Sequence, residues 1–454
     1  MESRQADKQF LQKVYEESGN AAVLMIASAN SERESLLESF LKDKKFFYYD
    51  CDYASANLQL ALLQKQVSLQ CDQRLSHNTY DECFSRIRSG DASKLVVVLD
   101  HVERVGKKNT LFFEAVAKLR KKQLYPGPVL ILLLTSTLTW NHKDLKEQLG
   151  EKLFGCIDHR LQVADISFLD LVRCLKDYSV KDSVQTYGVI GGIPEYVSCW
   201  NAGLTFKENV CRQILSPTGR LFHAAELAIA RELREPEVYN TILYAMASGR
   251  EKLNDIYEAT GYSRPKISVY LKNLAAFDVV EKVISFDAGG WDNAKKGVYR
   301  IKNNFLAFYY HFIYSNRSAL FQMSSEAFYD TYIQPGLADY MQRAFVDVCR
   351  EYLSLLNKMG KLPLSITKMG TWVGKEGTVD LVGENDIREY VAAICNWHMD
   401  AISMQDYENL QKNLKLACIK TKVVYLFSAT SFTEDLKALA EEDPSIVLVD
   451  MRSL

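Results

Sequence analysis

The stretch "AAVLMIASANSERESLLESFL", residues 21–41, joins an apolar run to an amphipathic helix and decides the fold of the first part of the chain. Three further apolar runs follow it, "KFFYYDCD" (45–52), "KLVVVLD" (94–100) and "VLILLLT" (129–135). Short apolar runs separated by helical stretches are typical of parallel strands that are covered by helices on both faces. The helical stretch between the last two runs supplies the crossover that a parallel pair needs. The sequence therefore predicts an α/β domain with a parallel sheet.

Composition and charge limit the function classes. The 454 residues are enough for roughly two to four domains, and the net charge of −2 gives the whole chain no attraction to nucleic acid. None of the ten cysteines forms a CxxC pair, which argues against a zinc ribbon. The start, "MESRQADKQF", lacks the apolar core of a signal peptide, and the apolar runs are too short to span a bilayer. We therefore expect a cytoplasmic protein that does not enter a membrane.

The junction after the first apolar run lies where a nucleotide-binding protein has its phosphate loop. That loop needs close-turning glycines, a lysine for the phosphates and a Ser or Thr for magnesium. The helix start here places Glu32 at the last glycine, Arg33 at the lysine and Glu34 at the Ser/Thr. A glutamate at about 4 Å from a phosphate charge is repelled by roughly 4 kcal/mol at an effective dielectric of about 20. Arg33 could still contact a phosphate and Ser35 could take the magnesium role; the other interpretation is a charged helix start whose glutamates suit the helix dipole.

The run "LVVVLDHVERV" (95–105) resembles a Walker B strand. Asp100 stands where a carboxylate would orient magnesium, and His101 replaces the glutamate that would activate water. Ser136 follows the next strand, where a polar side chain would sense the γ-phosphate. The alternative is that these residues form caps and turns. The degenerate nucleotide-binding set is Ser31, Arg33, Glu34, Ser35, Asp100 and Ser136.

Residues 235–305 predict a different unit. Three helical stretches, the third being "YSRPKISVYLKNLAAF" (262–277), precede two short strands, which together indicate a winged helix-turn-helix. Its candidate DNA contacts are Arg264, Lys266, Lys272 and Arg300, because cations on a recognition helix and wing bind backbone phosphates. Nearby carboxylates dilute that charge, and packing against protein is the alternative use of this surface.

The order of these pieces resembles one family. The segment "TYGVIGGIPEYV" (186–197) resembles the GGIPxY signature of prokaryotic AAA-type, STAND-related ATPases. Those proteins carry an ATPase core, a winged helix and a restriction-endonuclease-like domain. The resemblance implies ATP and magnesium as cofactors, which the replaced loop residues make doubtful. It also implies a P-loop ATPase-like domain at 1–164, a helical lid at 165–234, the winged helix at 235–305 and a degenerate nuclease-like domain at 306–454.

The nuclease-like resemblance rests on "MGTWVGKEGTVDLVG" (369–383). It implies an Asp followed by a strand with Glu-x-Lys, and Asp380 keeps the first of these positions. Ile394 and Asn396 occupy the Glu and Lys positions, and Val346 stands where a helix carboxylate belongs. Because one carboxylate cannot assemble a site for metal-assisted hydrolysis, we expect no nuclease activity and no metal centre.

Three hypotheses about function follow. The first is an ATPase-like scaffold with vestigial catalytic residues (Asp100, His101 and Asp380) that acts as a non-catalytic binding or regulatory module. The second is a divergent ATPase, and the third is a DNA-binding regulator that uses the winged helix. DNA, a protein partner and a second copy of the chain are the candidate partners.

Overall fold

The computed structural model describes residues 5–17, 19–27, 33–72, 77–87, 94–106, 108–125, 127–135, 142–163, 165–232, 235–286, 297–398 and 400–453. The chain divides into two compact units, Met1–Asp165 and Ile166–Leu454. We call them the N-terminal and the C-terminal unit and describe each by itself.

The N-terminal unit is built on a five-stranded sheet. Its strands are β1 (Ala21–Ala27), β2 (Phe46–Asp50), β3 (Leu95–Asp100), β4 (Val129–Thr135) and β5 (His159–Val163). Their order is β2-β3-β4-β1-β5, and every neighbouring pair is parallel. The helices of this unit are α1 (Gln5–Glu17), α2 (Arg33–Leu41), α3 (Ala56–Cys71), α4 (Tyr80–Arg86), α5 (Thr110–Arg120) and α6 (His142–Phe154). The predicted parallel α/β domain is confirmed.

The three central strands of this sheet, β3, β4 and β1, are almost entirely apolar because both of their faces are covered. Every residue of β1, β3 and β4 is buried. Alternate residues of β1 enter different cores, with Leu24 in one and Val23 and Met25 in the other. All five strands run the same way, so their carboxyl ends meet at one edge of the sheet. Ligands of open parallel sheets bind at that edge.

In the C-terminal unit, a helical part comes first. Its helices are α7 (Phe168–Cys174), α8 (Val180–Ile190), α9 (Pro194–Cys199), α10 (Phe206–Asn209) and α11 (Ala224–Glu232). The GGIPEY segment joins α8 to α9. Gly191 has a φ of +63° and a ψ of −157°, a backbone region that only glycine adopts readily. The carbonyl of Gly192 accepts the Ile166 N–H at 2.7 Å, and a Cβ at this glycine would lie 1.8 Å from the Ile166 oxygen. The segment therefore has a structural use, a close backbone crossing.

Three helices and a two-stranded ribbon follow, which we call the ribbon unit. They are α12 (Pro236–Ala247), α13 (Leu253–Thr260), α14 (Arg264–Ala276), β6 (Val280–Val283) and β7 (Val298–Ile301), with β6 and β7 antiparallel. Ser263 caps α14 by accepting the Lys266 N–H, and Gly261 ends α13 at a φ of +70°. The predicted helices and strands are present, and the tip of the predicted wing, 287–296, lies outside the described residues.

The last part of this unit combines helices with a mixed sheet. The helices are α15 (Asn304–Phe308), α16 (Arg317–Leu320), α17 (Ser325–Phe328), α18 (Leu337–Lys358), α19 (Met404–Leu416) and α20 (Glu434–Glu442). The strands are β8 (Lys368–Val373), β9 (Thr378–Glu384), β10 (Tyr390–Asn396), β11 (Thr421–Ser428) and β12 (Ile446–Asp450), ordered β12-β11-β10-β9-β8. Strands β8, β9 and β10 pair antiparallel, whereas β10, β11 and β12 pair parallel.

One hydrophobic core of the C-terminal unit runs from Ile166 to Val449, and a second core of this unit includes Trp372 and Leu426. Helix α18 is tied to the sheet through Gln342, whose amide donates to the Cys395 carbonyl at 2.6 Å and accepts the Trp397 N–H at 2.9 Å. The ribbon unit is tied to β8 by the Phe286 N–H, which donates to the Thr371 carbonyl at 2.9 Å. The boundaries at 165–234, 235–305 and 306–454 stay predictions within this one unit.

Candidate functional site

Asp100 lies at the carboxyl end of β3 with 2% of its side chain exposed. Its Oδ2 accepts the Tyr48 hydroxyl at 2.7 Å, and its Oδ1 accepts the His101 N–H at 2.7 Å. Burial, and then the hydrogen bond to Asp100, raise the pKa of the Tyr48 phenol above its usual value. Tyr48 therefore stays a neutral donor, and both carboxylate oxygens of Asp100 are engaged.

Arg33 is the first residue of α2 and lies with 7% of its side chain exposed. Helix α2 turns this side chain inward because Leu36, Leu37 and Phe40 bury the same helix against the sheet. Nη1 lies 3.1 Å from Asp100 Oδ1, which is an ion-pair distance, although the angles are not those of a hydrogen bond. Nη2 lies 3.2 Å from Nε2 of His101. The Arg33 guanidinium thus faces both Asp100 and His101.

His101 continues the chain of contacts toward β2. It has a φ of 51°, a left-handed conformation that directs its ring back across the sheet edge. Its Nδ1 lies 2.7 Å from Oδ1 of Asp50, the last residue of β2. A guanidinium donates at Nε2 and a carboxylate accepts at Nδ1, so the ring tautomer assigned from these partners carries its proton on Nδ1. We call Arg33, Tyr48, Asp50, Asp100 and His101 the sheet-edge cluster.

One more cation completes the charge balance of the cluster. Arg104 Nη1 lies 3.7 Å from Asp50 Oδ1, and its guanidinium lies 5.8 Å from the centre of the Tyr53 ring. Two carboxylates are therefore matched by two guanidinium groups.

The other predicted nucleotide-site residues are not in the cluster. Glu34 and Ser35 are exposed on α2, on the side away from its buried face. Ser31 and Ser136 lie outside the described residues. Sequence reasoning missed Tyr48 and Asp50. Asp50 pairs in register with Asp100 on the neighbouring strand. The alternation of side chains within "FFYYD" was the sequence signal that could have identified Tyr48 and Asp50.

Within the described residues, the charged groups of the cluster are paired with one another. The Arg33 donors face Asp100 and His101, and the Asp100 oxygens accept from Tyr48 and from the backbone. A phosphate would have to separate the Arg33–Asp100 pair, and a magnesium ion would have to displace the Tyr48 hydroxyl. Among the described residues, no group of three or more His, Cys, Asp or Glu side chains is arranged to hold a metal ion.

Asp380 lies on β9, and its side chain accepts a hydrogen bond from the neighbouring strand β10. Its Oδ2 accepts the Cys395 N–H at 2.9 Å. Burial raises the pKa of the Asp380 carboxyl, and the Cys395 N–H offsets part of that effect. Ile394 and Asn396 flank Cys395 on β10, and neither side chain carries a carboxylate.

The four DNA-contact candidates divide into an exposed group and an internal one. Arg264 donates to Asn254 Oδ1 at 2.9 Å and lies 4.2 Å from the centre of the Tyr257 ring. Lys266 lies 3.9 Å from a Glu235 oxygen, and Lys272 is exposed on the same helix.

Arg300 of β7 points inward instead. It pairs with Glu281 and lies 3.5 Å from Asp347 of α18, with 20% of its side chain exposed. The structure therefore groups the α14 cations and separates Arg300 from them.

Comparisons with known proteins cover parts of the chain. A family model, DUF234, described as "Archaea bacterial proteins of unknown function", matches residues 309–410. An uncharacterized protein of Methanocaldococcus jannaschii, MJECL04, is 28% identical over 301 residues. The match covers 64% of this chain and 64% of that relative, so the chain spans less than two thirds of the relative's length.

Two solved structures are similar in fold. The Walker-type ATPase PABY2304 of Pyrococcus abyssi is 18% identical at a TM-score of 0.47, covering 68% of this chain and 95% of its own. The ORC2 protein of Aeropyrum pernix, solved as ADPNP–ADP complexes, is 12% identical at a TM-score of 0.42, covering 71% and 94%.

Both scores are below 0.5, so we base the fold assignment on the strand order of the parallel sheet. The N-terminal unit has a P-loop NTPase-like α/β fold. No helix of the described residues has the length and apolarity to cross a bilayer.

Proposed function

We propose that this chain is an ATPase-like scaffold that acts as a non-catalytic binding or regulatory module. One observation carries the proposal: the side chain at the lysine position of the loop, Arg33, is ion-paired with the carboxylate at the magnesium-orienting position, Asp100. In this arrangement, the protein's own guanidinium takes the place of the cation that Asp100 would otherwise help to hold.

The energy of that pair sets the expected effect on nucleotide binding. Separating a buried ion pair without replacing the lost partner commonly costs about 3–5 kcal/mol. A cost of that size raises the dissociation constant for a nucleotide by roughly two to four orders of magnitude. The exposed Glu34 adds repulsion at the start of α2. ATP at millimolar concentration is therefore expected to leave the site unliganded.

An equilibrium titration with ATP and magnesium tests this proposal. We expect no saturable heat of binding up to about 1 mM nucleotide, and no phosphate release above a blank. The divergent-ATPase alternative assigns the work to Arg33, Ser35 and Asp100. It predicts micromolar binding and a turnover that falls in Asp100→Ala, and either result would replace our proposal with that alternative.

The exposed cations of α14 support DNA as a candidate partner. Arg264, Lys266 and Lys272 lie on one helix of the ribbon unit, at the position of a recognition helix. Three phosphate contacts predict a slope of log K against log salt of about −2 to −3.

Arg264→Ala is then expected to reduce the magnitude of that slope by about 1 on any DNA sequence. Lys207→Ala is the matched control, because Lys207 is an exposed cation of the same unit that pairs with Asp330. Binding that does not change with salt, or that responds equally to both substitutions, would argue for a protein partner at this surface.

A further inference from the structure

The C-terminal unit contains a cavity of about 160 Å³ where its parts meet. Gly188 of α8, Met246 of α12, Ile301 of β7 and Ala307 of α15 form part of its wall. At roughly 30 Å³ for each water molecule, this volume holds several waters or one small ion with its nearest waters. Its polar lining is Glu251, Arg300, Asn304, His311, Tyr340 and Arg343.

Arg343 of α18 is the key side chain of this cavity. Its Nη2 donates to the Ile301 carbonyl. Among the described residues, Nε and Nη1 have no hydrogen-bond acceptor, and no carboxylate lies within 4.0 Å of the guanidinium. Burial lowers the pKa of Arg343, and the adjacent charge of Arg300 lowers it further. Arg343 is partly buried, and its two free donor atoms face the cavity rather than a carboxylate, so this guanidinium favours an anion in the space that it faces.

The neighbouring charges do not neutralise Arg343. Glu281 pairs with Arg300, while Asp347 is shared between Arg300 at 3.5 Å and Arg350 at 2.6 Å. Two carboxylates thus lie among three guanidinium groups, those of Arg300, Arg343 and Arg350. Arg300 Nη1 also has no acceptor among the described residues, since this side chain contacts Glu281 through Nε and Asp347 through Nη2.

The other polar groups of the lining are already engaged or lie at the rim. The Tyr340 hydroxyl lies 3.2 Å from two carbonyl oxygens, those of Gly188 and Asn304. His311 Nδ1 lies 3.0 Å from the Ala247 carbonyl, and the Asn304 amide donates to the Tyr187 carbonyl at 2.8 Å. Glu251 is exposed, so its charge is solvated. The charged donors that face the cavity without an acceptor therefore belong to Arg300 and Arg343.

We propose that this cavity binds a small oxyanion, such as a phosphate or carboxylate group, through Arg343 with Arg300 beside it. The guanidinium fork matches both anions because it presents parallel N–H donors to two oxygens. The site is separate from the sheet-edge cluster and from the α14 cations, so the proposal does not depend on the proposed function.

Titration of the full-length chain with inorganic phosphate at constant ionic strength tests the proposal. Phosphate is expected to bind saturably to the unaltered chain and to raise its thermal midpoint. Arg343→Met keeps an unbranched apolar stem but removes the guanidinium, and we expect it to weaken phosphate binding at least tenfold, or about 1.4 kcal/mol. Acetate in a parallel titration shows whether carboxylates or phosphates are preferred.

Two further variants make the outcome decisive. Lys302→Gln is the matched control, because Lys302 is an exposed cation at the end of the same ribbon and pairs with Asp278; it should bind phosphate as the unaltered chain does. Ala247→Leu narrows the cavity without removing a charge, and we expect it to abolish phosphate binding. It keeps the proposal testable if Arg343→Met fails to fold. Absence of saturable binding of both anions to the unaltered chain, or undiminished phosphate binding in Ala247→Leu, would overturn the proposal.

Discussion

Arg33→Met is predicted to destabilise the N-terminal unit because it leaves the Asp100 carboxylate buried without its cation. The two groups lie 3.1 Å apart, and 7% and 2% of their side chains are exposed. Unit charges at that separation attract by roughly 5 kcal/mol at an effective dielectric of about 20. Loss of one partner of a buried pair commonly costs about 3–5 kcal/mol. Because Nη1 contributes an ion pair without hydrogen-bond geometry, we expect the lower end, about 3 kcal/mol.

A double-mutant cycle isolates this interaction. The cycle combines Arg33→Met with Asp100→Asn, since asparagine retains an acceptor for the Tyr48 hydroxyl. Amide hydrogen exchange in β1, β3 and β4 of the full-length chain reports the stability of this unit separately from the rest. The expected coupling free energy is about 3 kcal/mol.

The control cycle uses Lys118 and Asp81, a pair in the same unit with 41% and 43% of its side chains exposed. Exposed pairs couple by about 1 kcal/mol or less. A coupling at Arg33–Asp100 no larger than that of the control would refute the view that this ion pair is an internal structural element.

Three other substitutions give independent tests. Gly192→Ala would place a Cβ 1.8 Å from the Ile166 carbonyl oxygen, so we expect a loss of about 3 kcal/mol or more in the C-terminal unit, measured by hydrogen exchange. Asp380→Asn keeps an acceptor but removes a carboxyl whose pKa is raised in the folded state; the stability from binding that proton is present below about pH 4 and is lost as pH rises through the folded pKa. As pH rises through this range, the free energy of unfolding of the variant should therefore increase relative to that of the unaltered chain. A difference between the two free energies that does not change with pH would contradict the assignment. Tyr48→Phe removes a donor to buried Asp100, and we expect it to cost about 1.5–3 kcal/mol; no change in exchange of β3 would argue against that hydrogen bond.

The parallel sheet could be predicted because its central strands are buried on both faces and hence read as continuous apolar runs. Strand β5, "HRLQV", was missed for the converse reason. It lies at the sheet edge, and His159, Arg160 and Gln162 are exposed along it. Sequence patterns identify strands through their apolar residues, and β5 has only Leu161 and Val163 to give that signal, whereas the other edge strand, β2, is rich in aromatic residues.

The candidate site was predicted in part. Arg33, Asp100 and His101 were identified by their position at strand and helix ends, which the topology brings to one edge. Their mutual pairing depends on strand order and on the left-handed backbone of His101, and neither is encoded in local spacing. Arg343 gave no signal at all, because an arginine on an amphipathic helix is ordinarily solvated. Only the packing of α18 against the ribbon unit shows that it is enclosed.

A crystal structure of the full-length chain grown with magnesium and a non-hydrolysable ATP analogue is the most direct test of the central claim. We predict no ordered nucleotide at the carboxyl edge of the parallel sheet, with the Arg33 guanidinium still beside Asp100. An ordered triphosphate there, with Arg33 turned away from Asp100 toward the terminal phosphate, would contradict the account.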